Sequence, residues 1–301
     1  MWACVMGIFL VYAIIFILFE DYDKHFVQPF NEVSDWHLLL FSVVVMLLLG
    51  WQLYRYAHRM DERISREQME RQNEMRRQLT QNIAHELKTP VTSILGYTDT
   101  ILDNPSLTDE TKMQFIQRTN AQARRLTALL QDISTLNRMD YAPDVLTMER
   151  IDISRMMADI VEETALAVES KHMRLNNCLP EDVCIQGNWS LVYSIFRNLV
   201  DNAINYAGEN ATIEVSAEDQ GSHWAFTFRD NGVGVSAEHL SRIFERFYRV
   251  DKGRSRQMGG TGLGLAIVKN AVLLHDGQIS ASNAVGGGVQ FVFMLKKSYP
   301  T

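Results

Sequence analysis

The sequence predicts a multidomain chain: two transmembrane helices, an antiparallel helical hairpin that dimerises as a four-helix bundle, and a C-terminal α+β sandwich. Three observations carry this. Two long apolar runs stand near the N-terminus, at 3–19 and 36–54. A heptad rhythm of apolar residues occupies both sides of Asn104-Pro105-Ser106. Beyond residue 147, strand-like and helix-like segments alternate across glycine-rich turns.

The run 3–19 contains no charged residue. At ~1.5 Å rise per residue it covers most of a ~30 Å hydrocarbon core. It lacks the basic start and small-residue cleavage site of a signal peptide, so an anchor is expected. The second run is flanked by Trp36, Trp51, Tyr54 and Tyr56, and aromatic rings suit a membrane interface. The intervening loop, 20–35, holds Glu20, Asp21, Asp23, Glu32 and Asp35 against Lys24 alone. Arg55, Arg59, Arg63, Arg66, Arg71, Arg76 and Arg77 follow the second run. An arginine excess marks the cytoplasmic side, which leaves the short loop outside. A loop of that size cannot bury a core of its own. The expected organisation is a membrane anchor over 1–54, a signalling helix over 55–75, a hairpin over 76–141 and a globular domain over 148–301.

In the hairpin, Ile83, Leu87, Pro90, Ile94, Tyr97 and Ile101 step by four and three, which is a heptad seam. Asn104-Pro105-Ser106 breaks the helix, and Thr108-Asp109-Glu110 can cap a second one. Phe115, Thr119, Gln122, Leu126, Leu129, Ile133 and Leu136 repeat the spacing. One hairpin has no second layer to cover its seam, and pairing of two hairpins supplies one. Beyond the linker around Pro143, strands are expected near 147–153, 211–218, 223–230, 277–282 and 289–295. Helices are expected near 154–170, 189–206 and 263–275. Helices that cover one face of a sheet make the α+β sandwich.

Composition excludes little but orients the reading. The 301 residues carry a net charge of -7, which argues against a nucleic-acid partner. Cys4, Cys178 and Cys184 form no CxxC pair, so no disulfide or zinc site is expected.

Four segments carry candidate chemistry. The first is Asn82-Ile83-Ala84-His85-Glu86-Leu87-Lys88-Thr89-Pro90. With Ile83 at d and Leu87 at a, His85 falls at f, the outermost position. A neutral imidazole nitrogen is a competent nucleophile near neutral pH. Glu86 can accept the N–H of the far ring nitrogen and so act as base or orienter. Pro90 removes the backbone bond to the Glu86 carbonyl, and a kink is expected there. Taken alone, a histidine on a helix surface is more often only that. A zinc protease helix would need a second histidine where Thr89 stands.

The second segment is Arg197 to Tyr206. Asn198, Asn202 and Asn205 share one helix face, with Leu199, Ala203 and Ile204 opposite. Amide oxygens are hard neutral donors that suit Mg²⁺ beside phosphates. The rival is a solvated polar face, but asparagine is a poor helix former and three on one stripe carry a cost. The third segment, Asp230-Asn231-Gly232-Val233-Gly234, follows the strand-like 224–228. A carboxylate there can accept from the exocyclic amine of adenine, though taken alone the segment reads better as a plain turn after a strand. The fourth, Gly259-Gly260-Thr261-Gly262-Leu263-Gly264, opens an apolar helix, where backbone N–H groups can meet phosphates. Ile267 replaces the last glycine of a dinucleotide fingerprint, and no Gly-Lys pair exists for a Walker loop.

In this order the four segments resemble bacterial membrane-bound sensor histidine kinases of two-component systems, with an ATP-binding domain of the GHKL (Bergerat) type. Asn82–Pro90, Asn198–Tyr206, Asp230–Gly234, Phe244–Tyr248 and Gly260–Leu265 resemble the family's H, N, G1, F and G2 boxes, and Gly286-Gly287-Gly288 its last glycines. The resemblance covers roughly residues 60–301. It implies that His85 is the phospho-acceptor, that Asn202 holds Mg²⁺ and that Asp230 reads adenine. It implies an ATP site formed by Asn198, Asn202, Asn205, Tyr206, Asp230, Gly232, Gly234, Gly260, Thr261, Gly262, Leu263 and Gly264. It gives Glu86 and Thr89 a part in hydrolysing the phosphorylated partner, with Thr89 positioning water. The implied partners are a response regulator's receiver domain, a second copy of the chain through the hairpin, and membrane lipid. The implied place is the bacterial inner (plasma) membrane, multi-pass, with catalytic domains in the cytoplasm. Two residues depart from the family pattern: Asn205 stands where lysine is common, and Val289 where threonine is. The stretch between the membrane and His85 has no room for a HAMP domain. A mechanical GHKL ATPase and a non-catalytic membrane adaptor are the rival classes.

Overall fold

The computed structural model describes residues 34–141, 146–251 and 260–298. The apolar run 3–19 and most of the outer loop lie outside the described residues. The chain divides into two compact units, Met1–Arg76 and Arg77–Thr301. In order, the elements are α1 (Ser34–Asp103), α2 (Asp109–Tyr141), β1 (Glu149–Asp152), α3 (Ile153–Ser170), β2 (Arg174–Cys178) and β3 (Cys184–Gly187). Then come α4 (Trp189–Tyr206), β4 (Thr212–Asp219), β5 (His223–Asp230), α5 (Ala237–Leu240), α6 (Gly264–Leu274), β6 (Ile279–Asn283) and β7 (Val289–Lys296).

Helix α1 is 70 residues long and takes in the second apolar run. Among the described residues, no helix is long and apolar enough to cross a membrane. Val43, Met46, Leu47, Leu48 and Trp51 of that run are exposed, and the Arg55 guanidinium lies 4.6 Å from the Trp51 ring centre. The helix runs unbroken through Pro90, which is buried. Continuity past a proline is tolerated where tertiary packing outweighs one missing backbone bond.

The loop at Asn104 turns the chain back into α2, and Asp109 and Glu110 in its first turn favour the positive helix end. Tyr97 stacks on Phe115 at 5.8 Å near the hairpin's closed end. Part of the seam has a cover the sequence did not announce. Leu129, Leu136 and Met139 are buried in the same apolar cluster as the C-terminal domain. Leu87 and Ile133 pack against that cluster's edge. Val91, Leu95, Leu102, Met113, Ile116 and Leu130 remain exposed on the single chain.

The C-terminal domain holds a five-stranded sheet in the order β2-β4-β5-β7-β6 and a small β1-β3 ribbon. Only the β2-β4 pair of the five-stranded sheet is parallel. Val289, Phe291, Phe293 and Leu295 alternate inward along β7, as a one-sided sheet requires. Phe196 of α4 packs against Phe226 and Phe293 with centroids 5.4 and 5.6 Å away, which joins the helix layer to the sheet. The Asp152 side chain caps α3 by accepting from the Arg155 N–H at 3.0 Å, and Asn188 caps α4 through Leu191 at 3.2 Å. The expected helices and five expected strands are present within a few residues of their anticipated bounds. Strands β2 and β3, with mixed sequences RLNNC and CIQG, were not anticipated.

One buried polar clamp ties α6 to α4. His275 is 5% exposed. Its Nε2 accepts from the Asn188 N–H at 2.9 Å, and its Nδ1 donates to the Ala271 carbonyl at 2.6 Å. Burial holds the ring's pKa below the ordinary value, with the Ala271 carbonyl and Asp276 opposing. A lowered folded pKa favours the neutral ring, so this stabilisation is complete above the unfolded histidine value of about 6.5 and is lost as pH falls below it. The urea midpoint of the chain is therefore expected to fall as pH is lowered below the unfolded histidine value of about 6.5, with His275→Gln showing a shallower decline. An equally steep decline in the variant would assign the effect to other groups.

Candidate nucleotide-binding site and acceptor helix

The C-terminal ends of α4 and β5 and the N-terminus of α6 open onto one cavity of about 560 Å³. Asn198, Asn202 and Asn205 line one wall from α4, where Leu199, Ala203 and Ile204 are buried on the far side. That division follows from the helical period and fixes which amides reach the cavity. Asn198 Nδ2 donates to the Ser194 carbonyl at 2.8 Å. Asn202 and Asn205 have no hydrogen-bond partner among the described residues, so their amides are available to a ligand. Tyr206 completes this wall.

Asp230 ends β5 and is 5% exposed. Its Oδ1 accepts from the backbone N–H groups of Gly232, at 2.9 Å, and Val289, at 3.4 Å. Both bonds fall on that oxygen, which leaves Oδ2 for a donor inside the cavity. Burial pushes this carboxyl above the usual carboxylate range, and the two backbone bonds and Arg229 pull the other way. A half-satisfied buried carboxylate is costly without a partner. The close approach of Gly288 makes the arrangement possible. Its φ is +86°, and a Cβ there would lie 1.9 Å from the Asp230 carbonyl oxygen.

The opposite wall is the glycine loop. Gly260, Thr261, Gly262 and Gly264 line the cavity, while Leu263 is fully buried and anchors the start of α6. Gly264 sits so close to α4 that a Cβ would lie 2.6 Å from Asn198 Oδ1. The Gly262 carbonyl accepts from the Phe247 N–H at 2.7 Å, which ties the loop to the aromatic segment 244–248. Gly234 lines the cavity, whereas Gly232 acts through its N–H on Asp230.

His85 is exposed on α1, as its f position requires. Its ring has no hydrogen-bond partner among the described residues, so the expected contact with Glu86 is not made in this structure. Glu86 instead accepts from arginines. Arg249 approaches its two oxygens at 3.4 and 3.0 Å, and Arg125 donates at 3.2 Å. Carboxylates shared by two guanidinium groups have less freedom to orient a neighbouring ring. Thr89 Oγ1 donates to the His85 carbonyl one turn back, at 3.3 Å.

Arg249 is the residue that sequence reading missed. It is 5% exposed, lines the cavity, pairs with Glu86 and donates to the Gly260 carbonyl at 2.8 Å. Its Nε is buried without a partner. The available signal was its place directly after Phe244–Tyr248. Asp132 of α2 was missed too: its Oδ2 accepts from the Thr261 hydroxyl at 2.7 Å. Heptad counting assigns such a residue only to a flank, so nothing local marked it.

Comparisons with known proteins agree with this architecture. Residues 187–299 match the family described as histidine kinase-, DNA gyrase B- and HSP90-like ATPase. Residues 75–142 match the His Kinase A (phospho-acceptor) domain. The phosphate regulon sensor protein PhoR of Pseudomonas aeruginosa is 31% identical over 281 residues, 90% of this chain and 59% of that protein. The sensor-like histidine kinase SenX3 of Mycolicibacterium smegmatis is 31% identical over 75% of this chain and 58% of its own length. The chain thus spans somewhat over half the length of these relatives. Among solved structures, the Acinetobacter baumannii histidine kinase AdeS shares the fold at a TM-score of 0.60 and 23% identity, covering 71% of this chain and 98% of that one. Histidine kinase ThkA, in complex with response regulator protein TrrA, superposes at 0.59 with 21% identity, over 73% of this chain and 61% of that one. With an acceptor domain and an ATPase domain in this order, the chain belongs to the sensor histidine kinases of two-component systems.

Proposed function

We propose that the chain binds ATP in this cavity, phosphorylates its own His85 and passes the phosphoryl group to an aspartate of a response regulator. The observation that carries the proposal is the cavity itself. One concave site gathers a buried, half-satisfied carboxylate, the two unpartnered amides of Asn202 and Asn205 and a glycine loop, all beside an arginine tied to the acceptor helix. Asp230 Oδ2 suits the exocyclic amine of adenine, whereas guanine presents an acceptor there. Gly260 to Gly264 place backbone N–H groups near phosphates at the N-terminus of α6, where the helix dipole favours anions.

The unpartnered amides of Asn202 and Asn205 fit a magnesium site completed by phosphate oxygens and water, with Asn202 as the protein ligand. Magnesium supplies charge neutralisation for the phosphates when bound. In the transfer, a His85 ring nitrogen attacks the γ-phosphorus, a P–N bond forms and the bond to the β,γ-bridging oxygen breaks. ADP departs with that electron pair, and the imidazole N–H proton passes to a base. Glu86 is next to that ring, so it serves once its arginines release it. Positioning and charge stabilisation carry most of the rate.

The proposal extends to a homodimer. Val91, Leu95, Leu102, Met113, Ile116 and Leu130 are exposed along the hairpin and suit a second copy in a four-helix bundle. It extends also to a multi-pass anchor in the bacterial plasma membrane, supported by the uncharged run 3–19, the exposed apolar residues from Val43 to Trp51 and the arginines after them. Thr89 is proposed to hold water for hydrolysis of the phosphorylated regulator, and Thr89→Ala should preserve autolabelling while slowing that hydrolysis.

Membranes from cells expressing the chain test the reading. Labelled ATP should mark a chain in the membrane fraction, and Asn202→Ala should remove Mg²⁺-dependent ATP binding while adenosine still binds. A labelled chain found only in the supernatant sinks the anchor. Undiminished Mg²⁺-ATP affinity in Asn202→Ala sinks the metal assignment.

A further inference from the structure

The hairpin contributes more than an acceptor histidine. Ala128 and Asp132 of α2 line the cavity together with the glycine loop. Asp132 stands between Leu129 and Leu136 on one helix face, and both leucines are buried against the C-terminal domain. The carboxylate is therefore held at the centre of a packed contact. Its Oδ2 accepts from the Thr261 hydroxyl at 2.7 Å, and that hydroxyl accepts from the Leu263 N–H at 3.2 Å. The carboxylate thus meets the glycine loop through the Thr261 hydroxyl, one bond away from the Leu263 N–H at the start of α6.

Charges around Asp132 make the position expensive. Burial pushes its carboxyl above the usual range, the Thr261 bond works the other way, and the nearby Asp201 carboxylate adds to the rise. Asp201 lines the same cavity. Among the described residues that line the cavity, Arg249 is the cation, and its guanidinium is engaged by Glu86 and the Gly260 carbonyl. In this arrangement a carboxylate from the hairpin stands against the glycine loop at the Thr261 hydroxyl.

We propose that Asp132 is an autoinhibitory anion that occupies the phosphate end of the nucleotide cavity and is displaced when a nucleoside triphosphate enters. The proposal rests on reading the cavity as the ATP site. Hairpin docking through Asp132 and triphosphate binding then oppose each other, because two anions repel across one loop. The base end of the cavity, at Asp230, is not involved. Adenosine and ATP must respond differently.

The test uses the full chain and Asp132→Asn, which keeps the shape and removes the charge. Dissociation constants for ATP and for adenosine are measured by titration calorimetry. ATP is expected to bind about three- to tenfold more tightly to the variant, the size of a partly screened charge repulsion, with adenosine unchanged. The gain should shrink as salt is raised. Unchanged or weaker ATP binding, or a parallel change for adenosine, overturns the proposal. Asp132→Ala must move ATP affinity in the same direction; the opposite direction also overturns it. If the wild-type chain binds neither ligand, the ATP reading fails first and this proposal with it.

Discussion

His85→Gln is expected to reduce labelling of the chain by γ-labelled ATP at least about a thousandfold, while ATP affinity stays unchanged. The amide nitrogen of glutamine has its lone pair delocalised and cannot replace the ring nitrogen as a nucleophile. The structure narrows the choice of histidine. His275 is buried and bonded at both nitrogens. His239 meets Tyr248 at 2.6 Å, His223 meets Ser222 at 2.7 Å and His58 faces Glu62 at 3.3 Å. The His85 and His172 rings are both exposed, but His172 stands in the turn after α3 and does not line the cavity, whereas His85 is on the helix whose next residue is linked through Arg249 to it. Because His85 does not line that cavity, nucleotide binding should be indifferent to the change. Labelling that persists in the variant would place the acceptor elsewhere. Lost ATP binding would show that the substitution disturbs the domain rather than the chemistry.

Gly288→Ala is expected to lower the stability of the C-terminal domain by about 2–4 kcal/mol and to abolish adenosine binding. The residue has φ +86°, and its added methyl would lie 1.9 Å from the Asp230 carbonyl oxygen and 2.8 Å from the Asn231 Cα. Both neighbours are backbone, so relief requires moving the strand end that presents the Asp230 carboxylate. Gly286→Ala supplies a control. Its φ is also positive, +92°, but the nearest atom is Arg229 Nη2 at 4.0 Å. It should carry only the conformational cost of about 1–2 kcal/mol and keep binding adenosine. Equal behaviour of the two variants, by thermal melting and ligand titration, would refute the steric account.

Much of the fold was legible because its determinants are local or periodic. The heptad steps from Ile83 and from Phe115, the alternation in β7 and the break at Asn104 each express one element's own geometry. The asparagine row and Asp230 were legible for a related reason: helical spacing and a strand end place them without help from distant residues. Strand β2 was not, since Arg174–Cys178 alternates weakly and owes its place to parallel pairing with β4. Contacts between distant segments were also invisible. Glu86 and Arg249 are 163 positions apart, and Thr261 and Asp132 are 129 apart. No spacing rule links such pairs. The same holds for Leu129 and Leu136, whose seam the sequence assigns to a second hairpin although the C-terminal domain covers them here.

Arg249 joins two parts of the site through one guanidinium. Its Nη2 donates both to Glu86 Oε2 and to the Gly260 carbonyl. If the glycine loop moves away from α1, that guanidinium must give up either the Gly260 carbonyl or the Glu86 carboxylate, which Arg125 also holds. A change at Gly260 therefore alters the hydrogen bonding of the same guanidinium that holds the carboxylate beside the acceptor histidine.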